Sequence, residues 1–440
     1  MAEFGLTLDA QTAGGRHRPG EASKRVASLD GLRGIAALVV VVHHVFLTQP
    51  ALAAPYLDPT AVDVGEVSWW ATYTPLHLLW AGTEAVFVFF VLSGLVLALP
   101  VAGTGRVNPW DYFPRRLLRL YLPVWAAVTL AVLWATAFPR TWQVGDSWWL
   151  FQHAENPTVP GTVRDLLLLW WPGSTNHVLW SLQWEVLFCL TLPLFLLMAR
   201  TCRTLWHVKA LVLLLMPVIG AGIDSPALAS LPLFALGTLM AVEHRRVTSW
   251  AASVHRRRRP QMWWTAALVI CVGLLMSYWF VHAFGTRVTE ETAAATRGLQ
   301  ALGACLVVFL VWHWPGARRC MTSSIMQWLG TRSFSLYLVH LPIVVSVAVA
   351  LGGKPALGSA LALTVLITFP VTEIFYRLVE KPSHRIARRV GRSSAARAAG
   401  TRSDEAGGQR GSDVPGTTRT RFSVPRSPSP DCPRQYSGAA

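Results

Sequence analysis

Three groups of ionisable side chains lie within or at the edge of long apolar runs, where charge is costly and usually functional. The run Gly31-Leu-Arg-Gly-Ile-Ala-Ala-Leu-Val-Val-Val-Val-His-His-Val-Phe-Leu47 opens with Arg33 and ends with His43 and His44. On a helix, Arg33 and His44 are about 16 Å apart along the axis and close to three turns apart, so they share a face. Glu185 lies in Asn176-His-Val-Leu-Trp-Ser-Leu-Gln-Trp-Glu-Val-Leu-Phe188, about two turns from that run's outer end. Counted from the ends of the runs, His44 and Glu185 sit at similar depth in the outer half. An imidazole beside a carboxylate can act as a general base on a hydroxyl, the carboxylate orienting the ring and stabilising its charged form. Arg116 and Arg119, in Phe113-Pro-Arg-Arg-Leu-Leu-Arg-Leu-Tyr-Leu-Pro123, are i and i+3 on one face. Guanidinium forks match phosphate oxygens, and with Arg33 these two would form a cationic mouth on the cytoplasmic side. The same groups could instead make a proton relay, a buried ion pair or lipid-headgroup anchors. Asp165 and Glu373 are less informative, and Glu380 is expected to pair with its neighbours Arg377 and Lys381.

The elements that must hold these groups follow from composition. The chain has 440 residues, 52% hydrophobic and only 14% charged, with 21 Trp and 18 Phe. Its mean hydropathy is +0.39. A soluble domain carries about a quarter charged residues, so a water-soluble enzyme is excluded. The net charge of +16 is clustered between apolar runs, which points to a membrane rather than nucleic acid. Apolar runs near 31–49, 77–100, 120–138, 177–199, 208–223, 226–243, 262–283, 297–314, 334–351 and 356–378 predict about ten transmembrane helices. The pair 208–223 and 226–243 is joined by a very short Asp224–Ser225–Pro226 turn, and Asp165–Trp171 is too short to span, as expected of an interfacial or re-entrant piece. The first 28 residues lack the pattern of a removable signal peptide, so the first run is expected to stay as an anchor. The six cysteines form no CxxC pair and read as small buried hydrophobes. No metal site is expected.

Lys and Arg in short loops set orientation. One set of loops carries sixteen of them, the alternate set five. Both termini fall with the sixteen and are therefore expected in the cytoplasm, which requires an even number of spans. The expected organisation is a cytoplasmic segment 1–28, a membrane domain 29–384 and a disordered Arg/Ser/Pro-rich cytoplasmic tail 385–440, whose composition cannot bury enough to offset ordering entropy.

The motifs together resemble the membrane acyltransferase-3 family. Ser28-Leu-Asp-Gly-Leu-Arg-Gly-Ile-Ala-Ala-Leu38 running on to His44 is similar to the family's opening span, with Arg, ten residues, then His. Phe89-Phe-Val-Leu-Ser-Gly94, Arg116-Leu-Leu-Arg119 with Tyr121, Leu179-Trp-Ser-Leu-Gln-Trp-Glu185, Ser335-Leu-Tyr-Leu-Val-His-Leu-Pro342 and Val379-Glu-Lys-Pro382 resemble later landmarks, in the same order. The resemblance implies about ten spans with both ends cytoplasmic, in the plasma membrane. It also implies transfer of an acyl group, often acetyl from acetyl-CoA, to a hydroxyl of a glycan, lipid-linked sugar or secondary metabolite. By resemblance His44 is catalytic, Glu185 is the family's acidic position, and Arg33, Arg116 and Arg119 belong to the functional set. The family's second-span acid falls on Phe87, one turn from Glu84. His340 matches a family histidine. Some members carry an extracytoplasmic esterase-like domain, and none is expected here.

A division of labour follows as an expectation. Acyl-CoA, a donor substrate and not a resident cofactor, would dock its phosphates on Arg33, Arg116 and Arg119. Its arm would pass Ser93–Gly94, where a small residue lets a chain approach the backbone. The thioester would then reach His44 about 16 Å deeper. The alternative is a proton-coupled transporter or flippase for an anionic lipid or sugar, using His44 and Glu185 as a relay.

Overall fold

The computed structural model describes residues 19–103, 108–139, 143–153, 156–283 and 290–411, with the backbone alone for 19–26, 290–291 and 398–411. Three of the loop arginines counted above, Arg106 of the sixteen and Arg140 and Arg287 of the five, lie outside the described residues, as does Cys432. The described chain is helical, and no strand occurs among these residues. The elements that matter for the site are α1 (Pro19–Leu47), α2 (Gly82–Ala98), α3 (Pro109–Ala137), α4 (Leu179–Arg200), α5 (Trp206–Gly222), α6 (Pro226–Val242), α7 (His244–His255), α8 (Pro260–Leu275), α9 (Ser277–Ala283), α10 (Glu290–His313), α11 (Ser324–Ala350), α12 (Leu357–Phe375) and α13 (Lys381–Gly411).

Each of the ten apolar runs coincides with a helix or a bent helix pair. Seven described helices are long and apolar enough to cross a bilayer, or nine if each bent pair is one span. The bent pairs are α6–α7, at 74°, and α8–α9, at 66°. At 17 residues, α2 is shorter than these and lies at the lower bound for a span. It is also largely enclosed by protein, with 12 of its positions buried. The turn between α5 and α6 closes tightly: Asp224 takes a left-handed conformation (φ 50°), and the Ser225 amide donates to the Gly220 carbonyl at 2.7 Å.

Two close helix pairs form the centre. α1 packs most extensively on α11, and α2 on α6. A side chain at Gly34 would place its Cβ 2.5 Å from the Gly330 nitrogen. One at Gly94 would collide with the Phe234 carbonyl, and one at Gly237 with that of Val91. Small residues at these crossings let backbones touch, which is how helices associate where no hydrophobic effect drives them together. Gly94 is therefore filled by α6, which corrects the expectation that it leaves room for a substrate arm. Ser93 beside it is half-buried on α2.

The described chain divides into two compact units, the boundary falling between Ser394 and Ala395. The first unit holds all the elements named above up to α12. Helix α13 continues to Gly411, beyond residue 385, where composition placed the start of a disordered tail. Its first half is rich in Ala and Arg, both strong helix formers. Residues 412–440 lie outside the described residues.

Candidate active site

α1 and α11 run side by side in a constant register. Gly34 meets Gly330, and ten residues further on in each helix His44 meets His340, with His44 Nδ1 3.0 Å from His340 Nε2. The two rings are stacked at 5.2 Å, and both residues are buried. His340 Nδ1 in turn lies 3.0 Å from the Leu336 carbonyl of its own helix. His43 has a different task. Its Nδ1 donates to the Trp80 carbonyl at 2.9 Å, and its ring fills the space in front of Gly82. His43 thus ties α1 to the turn that starts α2, while His44 bonds another titratable ring.

α11 carries a ladder of polar groups leading to this pair. One turn before His340, the Tyr337 hydroxyl is 2.7 Å from Ser181 Oγ and 3.1 Å from the Val178 carbonyl. Two residues earlier, Ser335 donates to Glu380 Oε2 from its amide at 3.1 Å and from its hydroxyl at 2.5 Å. Prolines account for two more ties. Pro342 has no N–H to give the Leu338 carbonyl, and Asn176 Nδ2 donates to that oxygen at 2.8 Å. Pro193 leaves the Cys189 carbonyl in the same position, and it accepts from the Tyr112 hydroxyl at 3.3 Å. Both carbonyls freed by proline are thus taken by a side chain from another part of the chain, as a membrane interior requires.

The Asn176 tie overturns one depth argument. The lead-in to α4 does not sit at the outer surface but against the middle of α11. The segment before it is a short helix, Val159–Leu167, whose last carbonyls accept from Tyr121 (2.8 Å) and Trp125 (2.9 Å) of α3. These positions lie about 18 and 24 Å along a helix of about 43 Å. Leu168, Trp170 and Trp171 then turn through left-handed backbone (φ 52°, 51° and 63°). Asp165, buried, accepts the amides of Gly173, Ser174, Thr175 and Asn176 at 2.5–3.3 Å. Asp165 is the keystone of this inward-dipping loop, a role its position in the sequence did not suggest.

Because α4 starts deep, Glu185 stands with the arginines and not with His44. Its Oε1 is 2.5 Å from Arg116 Nη2, and Arg116 Nε donates to Cys189 Sγ at 3.2 Å. The imidazole–carboxylate pair expected from the apolar runs is not formed. Arg33 pairs with Asp30 at 3.3 Å. Arg119 lies among the charges of Arg116, Arg33, Glu380 and Glu185. Arg33, Arg116 and Arg119 are thus grouped, with Asp30, Glu185 and Glu380 among them. Glu380 does not pair with Arg377, whose guanidinium goes to Glu373, also bonded by Arg332. The π turn Tyr376–Glu380 between α12 and α13 rotates Glu380 inward to Ser335; such turns often occur at functional sites.

Beyond the histidine pair the site is roofed by aromatics. Trp149 stacks on His44 (5.5 Å) and on His153 (4.2 Å), and His153 meets His177 edge-on at 5.0 Å. His177 is exposed. Glu84 belongs to a separate cluster, its Oε1 accepting from Gln300 (2.8 Å) and Trp279 (3.3 Å). Tyr337, Ser181, Trp149 and Asn176 were missed as site residues. Ser181 and Tyr337 lay within recognised motifs, but nothing in one sequence says that they touch.

The fold and site define a multi-pass membrane protein with a buried imidazole pair above a cluster of arginines and carboxylates. The chain belongs to the acyltransferase-3 family, whose acyltransferase domain matches residues 26–374. It is 25% identical to Acyltransferase R4 of Phoma sp., over 84% of this chain and 96% of that one. It is 26% identical to Acyltransferase MdmB of Streptomyces mycarofaciens, over 82% and 92%. With Peptidoglycan O-acetyltransferase OatA of Listeria monocytogenes it shares 23% identity over 82% of this chain and 56% of the relative. No solved structure matches. The protein is a membrane O-acyltransferase, and the transporter reading of its ionisable groups is set aside.

Proposed function

We propose that the protein moves an acyl group, acetyl in the simplest case, from cytosolic acyl-CoA to a hydroxyl of a glycan, lipid-linked sugar or secondary metabolite at the plasma membrane. The observation that carries this reading is the division of α1 into two chemical ends. Arg33, grouped with Arg116 and Arg119, stands about 16 Å along the helix from His44. An elongated donor with phosphates at one end and a thioester at the other suits such a site. His44 takes the proton of the acceptor hydroxyl as its oxygen attacks the thioester carbonyl. The carbon–oxygen bond forms, the carbon–sulfur bond breaks, and the proton passes from His44 to the leaving thiolate. The acceptor comes from the opposite side, under Trp149. Similarity to two acyltransferases over most of both chains, beside similarity to a peptidoglycan O-acetyltransferase over about half of that relative, supports a hydroxyl acceptor of any of these three classes.

The test is acyl transfer in membranes carrying the wild type or His44→Ala, with radiolabelled acetyl-CoA and an extract of the native cell as acceptor. Label should enter an extractable glycan, lipid or small molecule with the wild type alone. Equal labelling by an inserted His44→Ala protein would remove His44 from the chemistry. No transfer from any of a panel of acyl-CoAs would overturn the donor.

A further inference from the structure

We propose that His340 is a positioning residue that holds His44 as its Nδ1–H tautomer, and so makes Nε2 of His44 the nitrogen that takes the hydroxyl proton. The inference rests on the reading of His44 as the base and adds which atom acts and what selects it.

The hydrogen bonds force the assignment from one end. A carbonyl oxygen only accepts, so the 3.0 Å contact between Leu336 O and His340 Nδ1 puts the proton of His340 on Nδ1. A neutral imidazole has one donor and one acceptor nitrogen, so His340 Nε2 carries a lone pair. That lone pair faces His44 Nδ1 at 3.0 Å, and with both rings neutral, His44 must donate there. Its own lone pair is then on Nε2. The relay Leu336 carbonyl, His340, His44 has one direction, fixed by the backbone of α11.

The surrounding structure holds this relay still. Leu336 and His340 are one turn apart on the same helix, so their contact is local. The Asn176 bond to the carbonyl freed by Pro342 pins α11 at Leu338, two residues before His340. Trp149 covers the ring of His44 from the other side, and the α1–α11 register at Gly34 and Gly330 sets the distance between the two rings. A base whose tautomer is chosen in advance does not lose rate to the wrong one; setting that choice through the second ring nitrogen is a general device for histidine. When His44 becomes charged during transfer, the His340 lone pair stabilises the extra positive charge.

The experiment has two arms. In the first, His340→Ala and His340→Gln are compared with the wild type and with His44→Ala, after each has been shown to insert and to run as one species in detergent. The Gln side-chain oxygen can accept the His44 Nδ1–H; Ala cannot. We expect kcat to fall on the order of 10²–10³-fold in His340→Ala, with the donor KM within about threefold of the wild type. His340→Gln should recover at least about tenfold of that loss. In the second arm, the wild type carrying ¹⁵N-labelled histidine is read by NMR, and His44, assigned by difference from His44→Ala, should show a protonated Nδ1 and an unprotonated Nε2. An Nε2–H signal for His44 in the wild type would overturn the proposal without any variant having to fold. So would wild-type activity in His340→Ala, or a His340→Gln no better than His340→Ala. If His44→Ala is inactive while His340→Ala is not, this inference fails alone; if His44→Ala is active, the reading beneath it fails.

Discussion

At the scale of single residues, the closest charged pair at the site decides how its mutants will behave. Arg116 and Glu185 are 2.5 Å apart, with side chains 14% and 19% exposed. Removing one member of such a pair leaves the other in poor solvent, which costs about 3 kcal/mol. Removing both costs less, because no uncompensated charge remains. Glu185→Gln and Arg116→Gln should each lower the melting temperature in detergent, and the double variant should melt above at least one single variant. The cycle should give a coupling of about 1–3 kcal/mol; an additive result would mean that the pair is screened. Kinetics separate this structural role from donor binding. Arg116→Gln should raise the acyl-CoA KM about tenfold or more while kcat stays within about fivefold. An unchanged KM with a collapsed kcat would move Arg116 from donor binding to the chemical step. That Arg33 and His44 share one helix, and Arg116 and Arg119 another, was legible in the sequence because residue type and spacing along one helix are local facts. The partner of Glu185 was not, since its depth was counted from the end of an apolar run.

At the scale of elements, that error has a cause in the chain. Apolar runs record where lipid or protein surrounds a helix, not where the helix begins. The segment before α4 is polar enough to look like an outer loop, yet Asp165 collects four of its amides and Asn176 reaches into α11. Both devices satisfy backbone groups internally, which is what permits irregular chain at membrane depth. The Asn176 bond exists because Pro342 leaves the Leu338 carbonyl without its helical donor. Asn176→Ala should therefore destabilise the protein by about 1–3 kcal/mol through a buried, unsatisfied acceptor. Pro342→Ala restores the missing N–H, so in that background Asn176→Ala should cost clearly less. Thermal unfolding of the four proteins in one detergent checks this. Equal penalties in both backgrounds would show that Asn176 matters for some reason other than the proline-freed carbonyl. The ten apolar runs themselves were legible, because each lies on a helix. The bend at α8–α9 was not, since the run 262–283 passes over a break of one residue.

For the whole molecule, the arrangement of site residues gives the reaction a direction only if the arginine cluster faces the cytoplasm. The loop charge count supports that orientation, and two native cysteines can test it without touching the site. Cys202 and Cys320 are exposed and free. Cys202 follows α4, and Cys320 sits between α10 and α11, both in loops that belong to the Arg-rich set. Cys189 and Cys271 are buried, and Cys305 is partly buried. In a Cys432→Ser background, a membrane-impermeant maleimide added to sealed cells should leave Cys202 and Cys320 unlabelled. After permeabilisation both should react, identified by mass spectrometry of the peptides. A control variant, Val144→Cys, replaces an exposed residue in the segment that follows α3 and should label in sealed cells. Labelling of Cys202 in sealed cells with none at position 144 would invert the molecule. It would place the arginines outside, where no cytosolic thioester could reach them, and the direction of transfer proposed above would have to be abandoned.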